Sequence, residues 1–337
     1  MKRYNFLYEE IVDYGNIRLA FLKALRGNRR SFAAIKFCRN TEKNLSLLRN
    51  KLLSLNCDWG NYRSFLITDP KPRIISTAPF EQRVMHHAMM NVLENIFERQ
   101  SIYHNYACRK GKGTHAAVCY AFKQCKTKQF FLKLDIRKYF DSIDHEVLKI
   151  MLRRLIKDKR VIFLLDGIIN SYETEQGKGL PIGNLTSQFF ANLYLAGLDH
   201  YILEELQASA YCRYMDDFVV WASSQDDLKK MFVNINNYVT QRLRLSIKQP
   251  VFGKTAVGLP FLGFLIKEKG IYLLQKSKKR FSKRMSEITA QLYKGNISEA
   301  KAAERTLSVF AAISLARTNR LRNKVCKKGE QLAALTV

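Results

Sequence analysis

Tyr211-Cys212-Arg213-Tyr214-Met215-Asp216-Asp217-Phe218-Val219-Val220-Trp221-Ala222 sets two adjacent carboxylates between apolar runs. The flanks are aromatic and β-branched, so the stretch reads as a hairpin with the acids at its turn. Another acid, Asp135, closes a separate apolar run, Phe130-Phe131-Leu132-Lys133-Leu134. In a chain of formal charge +28, three carboxylates at strand ends are not there to favour an anionic partner. They suit a pair of divalent cations. Hard ions choose carboxylate oxygen, and two of them about 3.5–4 Å apart clamp the attacking and leaving oxygens of a phosphoryl transfer. Asp-Asp is also an ordinary turn dipeptide, so the weight of this reading rests on its surroundings.

The 337 residues suffice for two or three subdomains, and 47% hydrophobic content marks a folded chain. Lys and Arg number 57 against 29 Asp and Glu, which points to a polyanionic partner, nucleic acid before a membrane surface. No apolar run approaches the roughly 20 residues that span a bilayer. Met1-Lys2-Arg3-Tyr4-Asn5-Phe6 has no apolar signal core, so a cytoplasmic location is expected. The seven cysteines (Cys38, Cys57, Cys108, Cys119, Cys125, Cys212 and Cys326) are scattered without a CxxC. They read as reduced thiols, not as a disulfide framework or a zinc site.

Residues 7–55 read as mainly helical and basic, with Leu45, Leu48, Leu52 and Leu55 on one face. Tyr62–Thr68 alternates like a strand, Asp69-Pro70-Lys71-Pro72 turns, and Arg73–Ser76 returns as a projecting hairpin. Residues 80–99 read as a helix. A strand then ends at Asp135, and a helix begins near Ser142, its candidate cap, with Glu146 in the first turn. Gln188–Leu206 reads as one long helix and Gln225–Leu243 as another. Leu259–Ile266 reads as a strand region. The order strand, helix, hairpin, helix matches a split βαβ sheet. Past Ser277 the chain turns helical and basic, with Phe281, Met285, Ile288 and Leu292 forming one apolar stripe. A second helix starts near Ser298-Glu299.

The ordered motifs resemble a reverse transcriptase of the bacterial, group II intron-like branch over roughly residues 60–266. They are Phe131–His145, with Asp135-Ile136-Arg137-Lys138-Tyr139-Phe140-Asp141 at its centre; Gly179-Leu180-Pro181-Ile182-Gly183-Asn184-Leu185-Thr186-Ser187-Gln188; Tyr214-Met215-Asp216-Asp217; and the strand block around Gly263. The resemblance implies an α+β right-hand polymerase with fingers, a ferredoxin-like palm on a split βαβ antiparallel sheet, and a helical thumb. By the same resemblance, residues 1–110 hold an N-terminal helical region and fingers, 111–272 the palm with interleaved fingers segments, and 273–337 the thumb.

Carried over by motif, Asp135, Asp216 and Asp217 are the catalytic, metal-holding acids for two Mg2+ ions, with Mn2+ able to substitute. Phe140 matches the position that blocks a ribose 2′-hydroxyl; a plain core phenylalanine is its other reading. Lys71 and Arg73 match fingertip cations that grip the incoming triphosphate, or else are solvated turn cations. Ile182 falls at the dNTP site. Arg109, Lys110, Gly183, Ser187, Gln188, Tyr214 and Met215 fall where template or primer runs. Lys248 is a candidate general acid for the leaving pyrophosphate, with Lys254 its competitor.

Two departures sharpen the resemblance. Ile182-Gly183 and Ser187-Gln188 stand where most such enzymes carry Gln-Gly and Ser-Pro. The IGxxxSQ run, continued by Phe189-Phe190-Ala191-Asn192-Leu193-Tyr194, resembles reverse transcriptases of diversity-generating retroelements. That resemblance implies copying of a template-repeat RNA into cDNA with misincorporation opposite adenine, for diversification of a target gene. The partners it implies are template RNA and its RNA/cDNA duplex, dNTPs and a small basic pentameric accessory protein, in a bacterial or phage-encoded system without a membrane. Isoleucine offers no polar contact to the nascent base pair and is stiff, so discrimination by fit weakens.

Other group II-like enzymes, of retron or phage-defence type, form the alternative, although retron NAxxH and VTG motifs are not apparent. A non-catalytic RNA-binding scaffold is the rival class, and it predicts damaged acids. An RNA-templated RNA polymerase is disfavoured by Phe140. His86-His87 and His145 read as packing residues, and no HExxH or zinc spacing occurs.

Overall fold

A computed structural model describes residues 3–69 and 71–325. Met1, Lys2, Pro70 of the hairpin turn and Cys326 lie outside the described residues. Four helices open the chain: α1 (Tyr8–Val12), α2 (Tyr14–Leu25), α3 (Phe32–Cys38) and α4 (Thr41–Leu53). Leu45, Leu48 and Leu52 face the core as their spacing predicts. The hairpin β1 (Arg63–Ile67) and β2 (Arg73–Thr77) follows, then α5 (Phe80–Glu98) and α6 (Thr114–Thr127).

A four-stranded sheet organises the next segment. Strand β3 (Phe130–Asp135) leads to α7 (Tyr139–Ser142), α8 (His145–Leu155), α9 (Lys159–Asn170), α10 (Leu185–Tyr194) and α11 (Ala196–His200). The hairpin β4 (Ala210–Tyr214) and β5 (Asp217–Ala222) comes next, followed by α12 (Gln225–Asn237) and β6 (Val251–Lys254). The order across the sheet is β4-β5-β3-β6, with every neighbour antiparallel. Strand β5 thus lies between β3 and β4, the split βαβ arrangement that the sequence order predicts.

Side chains alternate across this sheet and feed two cores. Leu132, Leu134, Phe218 and Val220 join one core with α1, α2, α5 and α8–α12. Phe131, Val219 and Trp221 join a second with α6 and the C-terminal elements. Burial on both faces explains why these strands read as continuous apolar runs. The first core runs unbroken from the N-terminal helices to α12, across residue 110.

The C-terminal part is a three-stranded antiparallel sheet, β7 (Leu259–Phe261), β8 (Phe264–Lys267) and β9 (Gly270–Leu273), with α13 (Gln275–Tyr293) and α14 (Glu299–Ala312). The expected single strand region at Leu259–Ile266 is therefore two strands. Leu262 (φ 48°) and Gly263 (φ 88°) turn the chain between them. On α13, Phe281, Met285 and Ile288 are buried, and Phe281 meets Phe310 of α14 edge-on at 5.5 Å.

Three further boundaries move. Ser142 ends α7 and does not cap α8; Ile143 is extended, and Asp144 caps instead, its carboxylate accepting from the Val147 amide at 3.0 Å. The expected helix Gln188–Leu206 begins earlier, at Leu185, and is interrupted at Leu195. Its continuation, Tyr201–Glu205, is π-helical, as is Tyr238–Arg242 after α12. Helices α6 and α9 were not expected. No helix among the described residues is long and apolar enough to cross a membrane.

Candidate active site

The sheet register brings the acids together. Asp217 begins β5 and pairs with Asp135 on one side and Tyr214 on the other. Met215 and Asp216 are then the two central residues of a tight hairpin turn. Met215 has φ 59°, a left-handed value that costs a side-chain-bearing residue about 1–2 kcal/mol. The Ile136 amide donates to the Asp216 carbonyl at 3.2 Å, tying the end of β3 to the turn. Three carboxylates from two distant segments thus share one end of the sheet.

Two lysines attend them. Lys248 Nζ lies 2.6 Å from Asp135 Oδ1, and its amide donates to the Asp135 carbonyl at 2.8 Å. Its competitor Lys254 pairs with Phe130, at the opposite end of β3. Lys133 Nζ lies 3.0 Å from Asp217 Oδ1. The Lys133 ammonium compensates the charge of this buried oxygen. Burial pushes the Asp217 carboxyl up to about 6; Lys133 opposes this, and Asp135 and Asp216 add to it. Burial, then Asp135, also raises Asp216, while Lys248 and Arg73 lower it. Among the described residues no three His, Cys, Asp or Glu side chains are gathered as a metal-holding group.

Arg73 opens β2 at the exposed hairpin tip, and its charge reaches Asp216; Lys71 is exposed nearby. Phe140 is half-buried against Tyr139, ring centroids 5.8 Å apart, and its carbonyl accepts from Leu180 at 2.8 Å. The Ile182 carbonyl accepts from the Ser76 amide at 2.8 Å, so hairpin β1–β2 sits on the Ile182–Gly183 turn. A Cβ on Gly183 (φ 120°) would fall 2.8 Å from Ile75 Cγ2. Gln188 faces a pocket of about 220 Å3 shared with Arg83, His86 and His87. Tyr214 and Met215 are half-buried.

Other expected contacts lie elsewhere. The Arg109 guanidinium grips Glu98 at 2.5–2.9 Å and donates to the Ile102 and Asn105 carbonyls, with 10% of its side chain exposed. It braces the loop after α5 and leaves little to offer a template. Its neighbour Lys110 is 90% exposed, 3.6 Å from Glu94. Ser187 is 2% exposed within α10. His86 and His145 are buried, as expected of packing residues. His145 Nε2 meets the Gly179 carbonyl at 2.7 Å, and burial lowers His86 to about 3 and His87 to about 4.

A buried network behind the turn carries no motif. Arg213 and Asp199 are both fully buried and paired at 2.6 Å, with Asn192 and Tyr211 completing their hydrogen bonds. A buried Arg beside YxDD is the trace it leaves in the sequence; its partner Asp199 lies fourteen residues away.

The fold and this acid-lined sheet end define an α+β protein of polymerase type. The model of the family described as reverse transcriptase (RNA-dependent DNA polymerase) matches residues 68–266, more than half of the chain, and the chain belongs to that family. Its relatives are group II intron-like. A putative COX1/OXI3 intron 2 protein of Saccharomyces cerevisiae is 22% identical over 62% of this chain and 31% of its own length. Protein YkfC of Escherichia coli is 26% identical over 52% of this chain and 58% of its own. The group II intron-encoded protein LtrA of Lactococcus lactis is 27% identical over 40% of this chain and 23% of its own. The chain spans less than a third of the length of the first three curated relatives it matches.

Proposed function

We propose that this chain is an RNA-directed DNA polymerase whose reaction centre is Asp135, Asp216 and Asp217. The observation that carries the reading is the register pairing Asp135 with Asp217 beside the Met215–Asp216 turn. The donor set is of the kind divalent ions choose, since every side-chain donor is carboxylate oxygen, with Lys248 at 2.6 Å from Asp135 Oδ1 and Lys133 at 3.0 Å from Asp217 Oδ1 compensating the charge. Asp135, Asp216 and Asp217 would hold two Mg2+ ions, or Mn2+ in their place, which when bound would acidify the primer hydroxyl and neutralise charge on the departing pyrophosphate.

The primer 3′-hydroxyl gives its proton to solvent as its oxygen bonds the α-phosphorus of the deoxynucleotide, and the bond to pyrophosphate breaks. Lys71 and Arg73 grip the triphosphate, Phe140 excludes a 2′-hydroxyl, and Lys248 gives the leaving group its proton. In this reading the N-terminal hairpin belongs to fingers, the four-stranded sheet to a palm, and α13–α14 to a thumb. The IGxxxSQ run supports the narrower reading of a diversity-generating retroelement enzyme that copies a template-repeat RNA with a small basic pentameric accessory protein.

Primer extension on poly(rA)/oligo(dT) with Mg2+ or Mn2+ tests the activity. Extension by the parent, and loss of about 100-fold or more in Asp216→Asn with RNA binding retained, is the expected result. A parent that extends nothing with either ion sinks it. Errors opposite template adenine, scored in the parent and in Ile182→Gln, test the narrower reading. The parent should err there above other bases and the variant less; equal frequencies reject the account.

A further inference from the structure

The turn that carries Asp216 has the wrong residue for its shape. Met215 takes φ 59° as the first central residue while Asp216 does not share a positive φ. A turn with φ above zero at its first central position alone is dominated there by glycine. Something must hold a methionine in that conformation.

Arg213 is placed to do it. Its Nη1 donates to the Met215 carbonyl at 3.0 Å from two residues upstream. The guanidinium itself is immobile. Nε and Nη2 grip the two oxygens of Asp199 at 2.7 and 2.6 Å, Nη1 reaches Asn192 Oδ1 at 3.2 Å, and Nη2 reaches the Asn192 carbonyl at 3.3 Å. These five contacts match the five N–H donors of an arginine. Asp199 takes a further bond from Tyr211 Oη at 2.7 Å, and Asn192 Nδ2 donates to the Ala107 carbonyl at 2.9 Å. Arg213 and Asp199 are 0% exposed. Backbone bonds from Arg213 N to His104 O and from Tyr106 N to Arg213 O brace the same strand from outside.

We infer that Arg213, clamped by Asp199 and Asn192, is a positioning residue: its bond to the Met215 carbonyl fixes the left-handed turn and so the placement of Asp216. This rests on the polymerase reading for its consequence but not for its geometry. A buried ion pair replaced by apolar residues is often neutral for stability, so a fully buried Arg–Asp pair that ends on a strained turn has another use. Lysine keeps the charge but cannot make the fan of five bonds. Glycine at 215 adopts positive φ unaided and removes the need for the bond.

The test is a cycle of Arg213→Lys, Met215→Gly and the double variant, with Asp199→Asn as a second route to the same loosening. Two quantities are measured: single-nucleotide incorporation, and hydrogen exchange of the 214–217 amides against those of central β5. Arg213→Lys should slow incorporation about 30-fold with the KM for dNTP changed less than about threefold. It should speed exchange in the turn more than in β5. Adding Met215→Gly should recover about tenfold of the rate. The inference is overturned if the double variant is as slow as Arg213→Lys, or if turn and β5 loosen equally, as loss of a merely structural pair would produce. If the parent polymerises nothing, the polymerase reading falls, while the exchange comparison, which needs neither ion nor nucleotide, still decides the role of Arg213.

Discussion

Asp217 is an acid whose site disfavours its charge. Its carboxyl is pushed up to about 6, from about 3.9 in an unfolded chain. Between those values the folded state holds a proton that the unfolded state has lost. Stability from this group is therefore full at low pH and declines as pH rises toward and through 6. Asp217→Asn removes the ionisation. The variant should gain about 1–3 kcal/mol over the parent at pH 8 and little at pH 4, in urea unfolding at the two values. A gain equal at both would show that Lys133 balances the charge fully. The residue types of the three acids, their order and the aromatic flanks were legible in the sequence because chemistry fixes them locally. Arg109 and Ser187 are less accessible than their sequence context suggests, for a physical reason. A basic residue in a glycine-rich loop reads as free, but Glu98, eleven residues upstream, takes it. Ser187 faces inward on α10, a helix that also buries Asn192 and Thr186, so polarity gave no sign of its orientation.

At the scale of elements, β3, β4 and β5 are legible because apolar cores lie on both faces, whereas the short β9 is not although Ile271 and Leu273 are buried, and α9 carries a local signature. Asp158 caps it, accepting from Arg160 and Val161, and Val161, Leu164, Leu165, Ile168 and Ile169 make a buried stripe. Gly167 lies off that stripe, and Trp59 packs where its Cβ would stand, 2.7 Å away. The two π-helical segments have no local signal; Tyr201 and Tyr238 stack at 4.7 Å between them, a contact that only the folded chain brings about. Edge strand β6 carries a similar constraint. A Cβ on Gly253 would fall 2.4 Å from Phe131 Cζ, in a ring 2% exposed. Gly253→Ala should cost about 1–3 kcal/mol, seen as a lower urea midpoint at unchanged slope. An unchanged midpoint would mean that the edge strand shifts freely.

At the scale of the molecule, charge decides what the surface does. The chain carries formal charge +28, and α13 presents Lys276, Lys279 and Lys283 outward while Phe281, Met285 and Ile288 are buried. The hairpin tip carries exposed Lys71 and Arg73, and Asp69 beside them takes Arg284 of α13 at 2.7 Å. That bridge is about half exposed, and such pairs contribute at most about 1 kcal/mol, so it can yield to a duplex. A protein that must accept any sequence binds through phosphates, and each neutralised phosphate releases counterions. Affinity for an RNA/DNA duplex should then fall by about 10³–10⁵ between 50 and 200 mM salt if 6–10 phosphates are contacted. Lys279→Ala should lower the salt slope by about one, equally for unrelated duplex sequences. Fluorescence anisotropy over a salt series reads both. A flat slope in the parent would remove the backbone grip from this face, and a sequence-dependent change in Lys279→Ala would mean that α13 reads bases.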